Sequence, residues 1–175
     1  MKSAAAVAIL PWVLAAGLMA CGEDERGRGT GEPGDIQVSA DQEQAMCDIL
    51  TTTVGTGPIP VTTGADMESA PGIDAQPGKK PVTLTDFEGQ NGGYLRLSID
   101  PANDTPVFIM FDDPMPFEVV REDGEVVDFD DAAEGSDLCD AAAGRYTWWV
   151  SGSENYLLFG PTEQLNFDLV LEVVD

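Results

Sequence analysis

The 175-residue chain has no histidine and only eight basic side chains. Without imidazole, His-dependent triads, His-ligated zinc and imidazole acid–base chemistry are excluded by composition. No serine stands in a G-x-S-x-G or S-x-x-K pattern, and after Lys2 the only lysines, Lys79 and Lys80, lie together in the loop-like stretch QPGKKP. Against the eight cations stand 32 Asp and Glu, a formal charge of −24. That balance repels phosphate polymers, so nucleic acid is excluded as a natural partner, and an anionic lipid surface would repel the chain as well. The enzymatic chemistry left over is that of paired carboxylates, and with 32 acids to choose from no pair stands out.

Long apolar runs are missing too. Ala4 to Leu18 is uncharged and rich in alanine and leucine, but Pro11 and Gly17 interrupt it and Glu23, Asp24 and Glu25 follow soon after. It is shorter than the ~20 apolar residues that cross a bilayer. With Met1-Lys2-Ser3 in front of it, the run reads as the positive and apolar regions of an export signal. At Cys21 the character of the chain changes within one residue, from LAAGLMAC to GEDERGRGTGEPGD.

Leu18-Met19-Ala20-Cys21 resembles the lipobox of bacterial lipoproteins, the L-x-A-C pattern cut before its cysteine. The resemblance covers about the first 21 residues and gives no family for the rest. It implies that residues 1–20 are a lipoprotein signal peptide. Cys21 then becomes the first mature residue, with a diacylglycerol on its thiol and a palmitate-like chain on its amino group. Several acyl chains on one residue suffice for stable attachment to a membrane. An ordinary secretory signal with an incidental cysteine is the competing reading. Gly22 departs from the aspartate that retains enterobacterial lipoproteins in the inner membrane, and Glu23-Asp24-Glu25 resembles the acidic runs that send some to the cell surface. The expected location is the cell envelope, in the outer membrane rather than the inner, facing the periplasm or the exterior.

Cleavage at that point removes Lys2 and no acid, leaving 32 acidic and 7 basic side chains and a charge of −25. Residues 21–38 then form the acylated cysteine and a flexible tether, rich in glycine, proline and charge, that spans ~20 to 25 Å. Residues 39–175 suit a single domain. Two cysteines remain in it, Cys47 and Cys139. An exported chain meets an oxidising compartment, so they are predicted to pair. Two buried free thiols are the alternative.

Ser39 precedes Ala40-Asp41-Gln42, and Met46, Ile49 and Leu50 recur at helical spacing, which predicts one short capped helix from Ala40 to about Leu50. The same residues would also suit a first strand. Thr51 to Pro81 reads as loop, with Ile59 and Val61 hinting at an edge strand. From Pro81 the pattern has period two. Leu95, Leu97 and Ile99 oppose Tyr94, Arg96 and Ser98, and Tyr146, Trp148 and Val150 oppose Arg145, Thr147 and Ser151. Tyr156 to Phe159 is a further short run, and Leu165, Phe167, Leu169, Leu171 and Val173 make the clearest alternating strand. Val107 to Phe111 is apolar throughout, as in a strand covered on both faces. Phe117 to Arg121 and Glu125 to Phe129 flank Asp123-Gly124, a hairpin signal. Seven to eight short strands at this spacing predict an all-β fold, an antiparallel β-sandwich.

Two candidate sites stand out. Asp112 to Asp140 carries 12 carboxylates, and DFDDAAEGSD gathers Asp128, Asp130, Asp131 and Asp137 within ten residues. A hard cation relieves such crowding using oxygen ligands alone, so these four are candidate Ca²⁺ ligands. Their order is not that of an EF-hand loop, and a solvated acidic face is the competing reading. In RYTWWV, Trp149 falls on the polar side of its strand and is a candidate stacking platform for a sugar ring or a partner side chain. Cover by a neighbouring loop is the alternative. The function expected first is a lipid-anchored, non-enzymatic binding or structural module of the envelope. Its partner would be an envelope protein or a glycan, and it needs no cofactor. A calcium-dependent adhesion or envelope-stabilising domain comes second, and a carbohydrate-active enzyme with paired carboxylates third.

Overall fold

The computed structural model describes residues 34–52, 60–99, 104–151 and 154–174. Residues 1–20, Cys21, most of the expected tether and Ile59 lie outside the described residues. The helix α1 runs Ala40–Thr51, and the Ser39 hydroxyl accepts from the backbone N–H of Gln42 at 3.1 Å, satisfying one of the orphan donors of its first turn. Its last turn carries no basic residue of its own. Lys79 supplies the charge from a distance, its Nζ donating to the carbonyl oxygens of Leu50 at 2.8 Å and Thr52 at 3.4 Å. Glu43, Met46, Cys47 and Leu50 make the buried face, the i, i+3, i+4, i+7 stripe of a helix lying on a sheet.

Eleven strands follow among the described residues: β1 (Val61–Thr62), β2 (Gly72–Asp74), β3 (Lys80–Thr83), β4 (Thr85–Phe87), β5 (Gln90–Ser98), β6 (Thr105–Phe111), β7 (Phe117–Arg121), β8 (Asp131–Ala133), β9 (Gly144–Val150), β10 (Asn155–Thr162) and β11 (Asn166–Val173). They build two sheets, a first ordered β1-β3-β11-β6-β9-β8 and a second ordered β2-β5-β10-β7 with β4 added on β5. The expected all-β sandwich with one short helix is the observed architecture. The strand count is higher than expected because β1 to β4 and β8 span only two to four residues each, too few to display a period. Two pairings, β1 with β3 and β2 with β5, are parallel. In each case the chain visits the other sheet before returning, which is the crossover a parallel pair requires.

Alternation explains most of the packing. Leu95, Leu97, Trp148, Val150, Leu157, Phe159, Leu169 and Leu171 fill the space between the sheets. On β6, Val107, Ile109 and Phe111 point into that core, while Phe108 and Met110 join Met46, Cys47, Leu50 and Val170 in a second core beneath α1. The unbroken apolar run from Val107 to Phe111 therefore has cover on both faces, as its sequence predicts. At the ends of the alternating β11 run the pattern breaks: Leu165 is 51 % exposed and Val173 37 %. Leu165 precedes the strand and Val173 is its last residue, so neither has a neighbouring layer to enter.

Two expectations change. Glu125 to Phe129 is not a strand. The turn before it forms, with Gly124 at φ +86° and Arg121 N–H donating to Glu125 O at 2.8 Å, but pairing beyond it is limited to a Val120–Val126 bridge and a Val127 N–H to Val119 O bond. The chain then leaves the second sheet, Phe129 packs against Phe117 and Tyr146 at 5.6 and 4.8 Å between ring centres, and Asp130 N–H reaches Thr147 O in the first sheet. Burial of an aromatic ring across the gap between the sheets wins over continuation of the hairpin. The packed body also reaches back into the segment read as tether: Ile36 is buried in the second core with its N–H on Asp130 Oδ2 at 2.7 Å, and Val38 packs alongside.

Candidate functional site

The buried face of α1 and the loop between β8 and β9 meet in one seam. Cys47 and Cys139 form a disulfide there, with Cα atoms 5.5 Å apart, and both residues are buried. One helical turn earlier, on the same stripe, stands Glu43, only 5 % exposed. Its carboxylate accepts from Ser136 Oγ and from Arg145 Nη1, the latter at 3.0 Å. The other arm of the guanidinium, Nη2, pairs with Asp131 of β8. Helix, loop and strand β9 are thus joined covalently through residue 47 and ionically through residue 43. A buried carboxylate is tolerable here because both of its oxygens are held.

Beside the ion pair lies a depression of about 430 Å³ lined by Glu43, Glu134, Ser136, Asp137, Leu138 and Arg145. Within this lining Glu43 accepts from both Ser136 and Arg145, and Arg145 is shared with Asp131, so the exposed charges of the lining are Glu134 and Asp137. An anion would be repelled at this rim.

A second, smaller depression of about 290 Å³ lies where β6 ends and β11 begins, beside β3, lined among others by Pro81, Phe167, Asp112, Asp113 and Asp168. Asp112 Oδ1 accepts from Asp168 N–H at 2.8 Å, and Lys79 Nζ, already on the helix terminus, pairs with Asp168 Oδ2 at 2.7 Å. Burial pushes the Asp112 carboxyl above its ordinary range, and the charges of Asp168 and Asp113 push the same way, against the lowering effect of the Asp168 N–H bond. A carboxyl with a raised folded-state pKa binds its proton more tightly in the native chain. Stability therefore falls as pH rises from the unfolded value near 3.9 through the folded one, and the full penalty is present above both. Asp112→Asn retains an acceptor for Asp168 N–H and removes the charge, so it should raise the melting temperature at neutral pH. The gain should vanish near ~pH 3, where the carboxyl is protonated in both states. Thermal unfolding of both proteins at the two pH values checks this, and a lower melting temperature for the variant at pH 7 would contradict it.

The four candidate calcium ligands do not converge. Asp130 serves Ile36, Asp131 serves Arg145, Asp137 stands on the rim of the larger depression, and Asp128 is exposed. Among the described residues no group of three or more Asp, Glu or Cys side chains is placed to hold a metal ion. Trp149 does face away from the inter-sheet core, but that side of β9 is the helix side, and the indole is half-buried against the second core rather than presented as a platform. Glu43, Ser136 and Arg145 are the group that pattern reading passes over. The available signal was an acid four residues before Cys47 on the apolar stripe of the helix, a position that demands a cationic partner.

Fold and seam together define a disulfide-closed β-sandwich with one helix covering the outer face of its larger sheet. No protein-family model matches the chain, and a search of curated proteins finds none similar to it.

Proposed function

We propose that the chain is a lipid-anchored module of the cell envelope, held by acyl chains on Cys21, that acts by binding or by structural support rather than by catalysis. The observation that carries this reading is Leu18-Met19-Ala20-Cys21 at the seam between an apolar run and a charged one. The buried Cys47–Cys139 bridge supports it, since such bonds persist in oxidising compartments outside the cytoplasm. A charge of −25 on the mature chain favours anchoring through lipid alone, with the domain held off anionic headgroups. The lack of histidine, and a seam whose serine, carboxylate and guanidinium hold one another, favour binding over chemistry. An envelope protein or a glycan is the partner class, and the outer membrane is the site of attachment that Gly22 favours.

Mass spectrometry of the membrane fraction should find the mature chain beginning at an acylated Cys21, and Cys21→Ala should leave an unprocessed precursor. A soluble chain starting at another residue would overturn the proposal.

A further inference from the structure

We draw no further inference here: the strongest candidate, the outer face of the second sheet, where Tyr94 and Arg96 of β5 stand in register with Leu158 and Tyr156 of β10, carries nothing because nothing in the structure shows what covers it.

Discussion

Replacing Cys47 and Cys139 together by alanine is expected to lower the unfolding free energy by ~3 to 5 kcal/mol. The bridge spans a sequence separation of 92 residues, and in the loop-entropy treatment a closure of that length removes about 4 to 5 kcal/mol of unfolded-chain freedom, within the ~2 to 5 kcal/mol usual for native disulfides of small exported domains. For a single domain with ~5 to 15 kcal/mol in hand, that is a large fraction of its stability. The native state should suffer unevenly. The bridge is the covalent link between α1 and the β8–β9 loop, and Cys47 and Cys139 both belong to the second core, whereas the inter-sheet core contains neither. Amide exchange in α1 should therefore accelerate more than in β6 or β11. Denaturant unfolding of the oxidised, reduced and doubly substituted proteins measures the effect. Coincident midpoints for all three would mean that the bridge contributes nothing.

Arg145→Met should cost ~2 to 4 kcal/mol, toward the low end of what is lost when one member of a buried ion pair is removed, because the Arg145 side chain is itself 26 % exposed. Methionine keeps the aliphatic stem that packs along β9, so most of the loss comes from leaving Glu43 buried without its cation. Glu43→Gln should be milder, since the amide oxygen can still accept from Arg145 while one of the two amide N–H donors can use Ser136 Oγ, which turns from donor to acceptor. The double variant Glu43→Met with Arg145→Met should recover most of the stability lost in the single one, because an apolar pair of similar volume avoids the desolvation of both charges. The test is a thermodynamic cycle by urea unfolding. A loss below ~1 kcal/mol for Arg145→Met would place the pair with ordinary surface salt bridges and show that Glu43 stays hydrated.

The sequence by itself determined the elements whose side-chain period is long enough to read. Leu95 and Leu97 on β5, Trp148 and Val150 on β9, and Leu169 and Leu171 on β11 all face the core their alternation predicts, and the unbroken run Val107 to Phe111 announces a strand with two covered faces. Ser39 before Ala40 and the pair Cys47 and Cys139 were equally legible, because a cap is local chemistry and, of the three cysteines, the reading of Cys21 as a lipobox residue left one pairing. Tertiary structure decided the rest. Period two says which side chains share a face, not what lies beyond that face. Trp149 looks outward on its strand, yet α1, about a hundred residues earlier, covers that side of the sheet. Glu125 to Phe129 has the composition of a hairpin arm, but Phe129 finds more apolar contact by crossing to Phe117 and Tyr146. The crowded acids of residues 128–137 are separated by that same crossing, which sends Asp130 toward Ile36 and Asp131 toward Arg145. The seam of Glu43, Ser136 and Arg145 joins residues about a hundred positions apart, and its partners are set by which surfaces pack, information that no local pattern contains.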